Sequence, residues 1–136
     1  MADWGDLVAY IRISYDVIQF EPDEVRIRVS FAKDAEDILS RRQIMVVAHE
    51  ILDQKEDWVQ IATPFARVDQ VDLREVLTEV GDTTVVGGVV VMGDYVVLRH
   101  SLPLINLDIN EFTDPLELVA SAAEDLERRF TGRDEY

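Results

Sequence analysis

The chain has no cysteine, which removes disulfide staples and thiolate metal sites together. Glycine and proline are sparse, 6 and 4 among 136 residues, while hydrophobic content reaches 48%. That balance excludes a disordered or fibrous chain and points to a folded globule. No apolar run approaches the ~20 residues of a membrane span; the longest runs only from Val85 to Gly93. The opening MADWGDLVAY lacks the basic start and apolar stretch of a secretory signal. These absences set the expectation of one soluble domain over residues 1–136, cytoplasmic and without a membrane partner.

Positive charge is scarce too. Thirteen bases, of which only Lys33 and Lys55 are lysines, face 28 acids, for a net charge of −15. A field of that sign repels phosphate backbones, so nucleic acid is excluded as a partner. It serves solubility, and it also leaves room for a basic partner.

What is present is periodicity. Trp4, Leu7, Val8, Ile11, Tyr15 and Ile18 recur at helical spacing. EPDE at 21–24 reads as a turn, and VRIRVSF at 25–31 alternates apolar and polar as a half-buried strand does. After a polar stretch at 32–41, two apolar runs, 43–52 and 58–65, flank DQKE. A four-residue loop there would pair Ile51 with Trp58 and Val47 with Ala62. It would put Ile44, Val46, Ala48, Ile61, Thr63 and Phe65 on one face, and Met45, Val47, His49, Ile51, Trp58, Gln60 and Ala62 on the other. Pro64 cannot donate to a ladder, so this strand must end, bulge or lie at an edge there.

A short helix follows, capped by Asp69 or Asp72, with Leu73, Val76, Leu77 and Val80 as its stripe and Gly81 just past its end. Gly93-Asp94 between valine-rich runs reads as a two-residue hairpin turn joining strands 85–92 and 95–101. That turn opposes Met92 to Tyr95 and Val90 to Val97, and both faces of the hairpin are apolar. The last segment, 113–130, has Asp114 as N-cap, Pro115 first in the helix, and Glu117 completing a capping box. The expected fold is α+β in the order α-β-β-β-α-β-β-α, a single antiparallel five-stranded sheet with helices mainly on one face.

No cluster spells out a chemistry. HEILD at 49–53 misses the zinc-protease H-E-x-x-H at its last position, and it lies in a strand where Glu50 points away from His49. GGVVVMGD has no G-K-[ST], and residues 107–111 lack the glycine and final glutamate of an EF-hand loop. No serine sits in a nucleophile elbow. No catalytic residue, cofactor or metal ligand is therefore assigned. Binding candidates remain. Arg41 and Arg42 form a small basic patch at the mouth of a strand, and Trp58 shares its expected face with Met45, Val47 and Gln60. The outer hairpin face adds Val90, Met92, Tyr95 and Val97. At about 25 cal/mol per Å², leaving roughly 400 Å² of that face in water would forgo about 10 kcal/mol, the stability of a whole domain. Monomers rarely expose so much, so a homodimer interface or a client groove is expected there.

Three stretches, SRRQIMVV, GDYVVLRHSLPLINLD and AAEDLERRFTGRDEY, together with the element order, resemble the type III secretion chaperone-like proteins. That group shares its fold with the Tir chaperone and the YbjN proteins. The resemblance implies a small acidic dimer that binds an extended or partly unfolded peptide of a client protein across its sheet, with no cofactor and no catalysis. The alternative function is a regulatory or sensory protein of the same fold acting through protein–protein contact.

Overall fold

The computed structural model describes residues 3–31, 41–84 and 87–132, with the backbone alone for Phe31 and Arg41. In those residues the chain is α+β, with three helices and one antiparallel sheet of six strands in the order β1-β2-β3-β4-β6-β5. The sixth strand is the difference from expectation, and it lies near the N-terminus.

Helix α1, Trp4–Ser14, starts at Asp3, whose carboxylate accepts from the Asp6 amide at 2.8 Å. It buries Leu7 and Ile11. The apolar stripe continues in sequence to Tyr15 and Ile18, but the backbone turns extended at Tyr15 and becomes strand β1, Asp16–Glu21. The helical period simply outlasts the helix. Tyr15 stays with the core, its phenol pushed up to about 12 by burial and by Tyr10 and Glu117 beside it.

Strand β2, Glu24–Phe31, pairs with β3, Arg41–Leu52, and β3 with β4, Glu56–Arg67. The β3–β4 connection has three residues rather than four. Asp53 and Gln54 both take left-handed backbone (φ 52° and 61°), and Lys55 N–H closes the turn on the Leu52 carbonyl at 3.0 Å. The register is therefore Val47 opposite Ile61 and Glu50 opposite Trp58. A one-residue slip in register exchanges the faces of one strand against the other. Met45 and Val47 thus join Val59 and Ile61 in the core, while Ile44, Val46 and Ala48 share a face with Trp58, Gln60 and Ala62.

Pro64 sits in a strand paired on both sides, and of the end, bulge or edge expected there the bulge is what forms. Register shifts between Pro64 and Ala66 against β6, with Phe65 as the extra, fully buried residue. Gln43 reinforces the spot, donating to Thr63 Oγ1 at 2.6 Å and to the Pro64 carbonyl at 2.9 Å.

Helix α2, Leu73–Thr83, is capped by Asp72, whose carboxylate accepts from the amides of Arg74 and Glu75, and it runs on through Gly81. Strands β5, Gly88–Met92, and β6, Tyr95–Pro103, form the expected hairpin with Met92 opposite Tyr95 and Gly93 at φ 62°. Residues 85 and 86, counted into this strand from sequence, lie outside the described residues, as does the stretch 32–40. Helix α3, Ile109–Thr131, begins six residues before its expected start. Asp108 is its cap, with the Glu111 carboxylate accepting from the Asp108 amide at 3.2 Å. An earlier capping box outcompetes the one at Asp114, and Pro115 sits inside the helix.

One hydrophobic cluster gathers Leu7 and Ile11 of α1, Val76 of α2, and Phe112, Leu116, Val119 and Ala123 of α3 against Ile27, Met45, Ile61 and Leu98. All the strand members lie on one face. Helix α3 crosses β3, β4 and β6 there. The other face carries no helix among the described residues.

Candidate functional site

The helix-free face is a shallow groove of about 480 Å³ running along β4. Its floor is small, with Ala62 and Pro64 on β4, since bulky side chains on the central strand would fill it. Ile44 and Val46 of β3 form one wall, and Val97, Tyr95 and Met92 of the hairpin form the other. Val97 lies deep, only 5% exposed, whereas Met92 (48%) and Tyr95 (38%) stand up at the rim. Gln60 crosses the floor; with its amide oriented to suit both neighbours, it donates to Glu50 at 3.3 Å and accepts from Arg99 at 3.1 Å. Nothing in this arrangement activates a nucleophile or holds an acid–base pair. It offers apolar area ringed by charge, which is the chemistry of protein contact.

Of the residues singled out from sequence, Gln60, Val90, Met92, Tyr95 and Val97 do share this face. Trp58 is on it as well, at the end beyond Gln60, beside a smaller recess with Glu50, Ile51 and Ser101. Met45 and Val47 are corrected: they are 0% exposed beneath the helices and touch no outer surface. The register slip put them with the wrong neighbours. Arg42 is exposed, and its alternation with Ile44 and Val46 places it on the groove face; the side chain of Arg41 lies outside the described residues. Ile44, Val46, Ala48, Ala62 and Pro64 were missed as binding residues, though their period-2 pattern was visible.

The charges on this face are sorted along the strands. Pairing rows taken in order carry Arg42 and Arg67, then Arg28, then Arg26 and Arg99. The next rows carry Glu21 and Glu24, then Glu50, then Glu56. Asp16, opposite Arg28, is the one acid in the arginine half among the described strand residues. Among the described strand residues of this face five arginines meet five carboxylates, and Asp69, just past β4, adds an acid beside Arg67. Existing pairs are exposed and loose: Arg28 to Asp16 at 3.6 Å, Arg67 to Asp69 at 3.5 Å, and Arg26 to Glu24 at 3.3 Å. Contacts of that kind contribute about 0–1 kcal/mol each.

A second polar cluster lies on the helix side. His49 Nε2 meets Asp57 at 2.8 Å and Nδ1 meets Asp23 at 3.3 Å, and the ring stacks on Trp4 at 5.4 Å. Trp4 in turn donates to the Pro22 carbonyl at 2.8 Å. A neutral imidazole has one donor only, so two carboxylate partners favour the imidazolium. Burial opposes that charge, but the bonds to Asp57 and Asp23 outweigh it and hold the pKa above the usual histidine value. This is a clamp on α1, with no open position for a ligand. Among the described residues no group of three His, Asp or Glu side chains is placed to hold a metal ion, and no helix is long and apolar enough to cross a membrane.

The cleft between α2 and α3, about 450 Å³, is lined by Leu118, Ala122 and Leu126 and is spanned by the Arg129–Glu79 pair at 3.2 Å. The sheet groove is the stronger site. No family model, no curated protein and no solved structure matches this chain.

Proposed function

We propose that this protein is a non-catalytic protein-binding module, a chaperone or adaptor that receives a segment of a partner protein across the helix-free face of its sheet. The observation that carries the reading is the groove itself. A central strand with a small-residue floor is walled by Ile44 and Val46 on one side and Val97, Tyr95 and Met92 on the other, with no element of the chain's described residues laid over it. Soluble proteins cover such faces with a layer of their own or a partner's structure. The resemblance to secretion chaperone-like proteins supports the same reading, with an extended client segment as its expected ligand and no cofactor.

The test is suppression of aggregation. Wild-type protein at a one-to-one ratio should keep a thermally unfolding reporter enzyme in solution, and Val46→Asp and Met92→Asp should lose that capacity while retaining native circular dichroism. Equal protection by wild type and both variants removes the groove from the function. A regulatory protein of the same fold would give no protection at all.

A further inference from the structure

The end of the sheet at which Trp58 stands carries apolar surface that the fold does not use. Ile51 (61% exposed), Leu52 (49%), Ile105 (74%) and Ile109 (47%) stand in water there. The topology gathers them. Ile51 and Leu52 end β3 and line, with Trp58 and Ser101, a recess of about 260 Å³ beyond the groove. Ile51 is paired with Asp57, whose carbonyl accepts from the Leu104 amide at 2.9 Å, so Ile105 follows just past the β3–β4 turn. The Leu107 amide then closes on the Leu104 carbonyl at 3.1 Å, and this tight turn leads to Ile109, the first residue of α3. Aliphatic side chains scattered singly over a surface need no account, but several at one end of a domain mark a contact site.

Charge names the occupant. Glu50, Asp53, Glu56, Asp57, Asp108 and Glu111 flank these side chains, and Lys55 is the only lysine or arginine in the segments 49–58 and 101–111. Trp4 stacks on His49, so the start of α1 brings Asp3 and Asp6 to the same end. His49 itself is already engaged by Asp57 and Asp23. Along the strands the first arginines, Arg26 and Arg99, stand in the row of Ala62, four positions of β4 or about 13 Å from Trp58. We propose that this end is a second binding surface, separate from the groove, and that its occupant is a basic segment of a partner protein. One or two large apolar side chains of that segment seat in the recess against Ile51, Leu52 and Trp58, and its lysines or arginines meet the surrounding carboxylates. The apolar centre supplies affinity, while the charged rim speeds encounter and rejects acidic competitors. A second copy of this chain, at net charge −15, is the wrong partner for such a ring, and so is a phosphate-bearing surface. The inference does not depend on the groove; with both surfaces filled, the protein would hold two partners at once.

The probe is a short fluorescein-labelled peptide of leucine and lysine at helical spacing, titrated with the protein and read by anisotropy. Its serine–lysine counterpart keeps the charge and removes the apolar side chains. The leucine–lysine peptide should bind about 10-fold tighter or more, the difference that a buried apolar anchor makes. Leu52→Ser combined with Ile105→Ser should weaken it about 10-fold. Glu50→Lys combined with Glu56→Lys should weaken it as much at about 50 mM salt and much less at about 500 mM, where rim charges are screened. These positions are exposed, so circular dichroism and melting should stay as in wild type. Leu118→Ser, an exposed leucine on α3, and the groove variant Val46→Asp should bind within about twofold of wild type. Equal binding of the two peptides, or full binding by the Leu52→Ser, Ile105→Ser protein, reduces the effect to diffuse charge and overturns the proposal. Loss of binding in Val46→Asp with the end variants unaffected puts the peptide in the groove, which overturns this surface and leaves the groove's function standing. A wild type that binds the peptide at this end but protects no reporter enzyme keeps this surface and drops the groove.

Discussion

Val46 and Val47 are neighbours in one strand and belong to different worlds. Val47 is fully buried under α3 and its companions, while Val46 is half-exposed in the groove wall. The two faces of β3 and β4 thus divide the labour. One face makes the protein fold, and the other is kept apolar at a cost in exposed area that folding alone does not require. The difference teaches where substitutions should act on stability and where on association.

The sharpest way to break that comparison is the same change at both positions. Val47→Asp places a carboxylate with no partner in the core and should cost about 4 kcal/mol or more, enough to unfold an ordinary domain. Val46→Asp should cost less than about 1 kcal/mol, because water reaches it. Urea unfolding of the pair decides the matter, and equal losses would mean that the groove is closed in the monomer.

A smaller effect lies at the β4 bulge. Thr63 Oγ1 donates to the Ile44 carbonyl at 2.8 Å while accepting from Gln43, so Thr63→Val should cost about 1–3 kcal/mol by stranding buried groups. Gln43→Leu should fall within about 1 kcal/mol of wild type: it removes an amide whose own Oε1 is buried without a partner, and Thr63 keeps its bond to Ile44. A costly Gln43→Leu would show that the amide carries the bulge.

The smallest expected effect is a pH dependence on the helix side. The folded pKa of His49 is raised above its value of ~6.5 in an unfolded chain. Its ion pairing with Asp57 and Asp23 is therefore fully present below about pH 6.5 and fades as pH rises through the higher folded value. Thermal melts between pH 6 and 9 should show wild type losing stability that His49→Gln does not lose. Parallel curves for the two proteins would remove the clamp from the account.

Much of this division was legible in advance. Gly93-Asp94 specified the hairpin turn and hence the outward set Val90, Met92, Tyr95 and Val97, because a two-residue loop leaves one register available. Pro64 signalled an end, an edge or a bulge, and the bulge formed. What sequence did not reveal was the conformation of Asp53 and Gln54. Neither is glycine, yet both adopt left-handed backbone, and the resulting three-residue loop moved the register by one. On β3, Ile44, Val46 and Ala48 were set on the face opposite Trp58 and Gln60, and the core residues Met45 and Val47 were offered for binding. Strand β1 was hidden because Tyr15 and Ile18 extend a helical period across a boundary that carries no glycine or proline. The sorting of arginines and glutamates could not be read at all until the strands were in register, since it exists only across them.

The strand order has a kinetic consequence. Strands β1 to β4 form a meander of local contacts, and β5 with β6 forms a local hairpin, but the β4–β6 ladder joins Trp58 to Pro103 across the whole of α2. Closing that span is the slow, entropically expensive act in such a topology. Helix α3, which touches β3, β4 and β6, can seat only after the seam has formed. The chain is thus assembled from two early-folding pieces and a late clasp, and a break introduced near Val71, between them, should yield fragments that find each other rather than fragments that are lost.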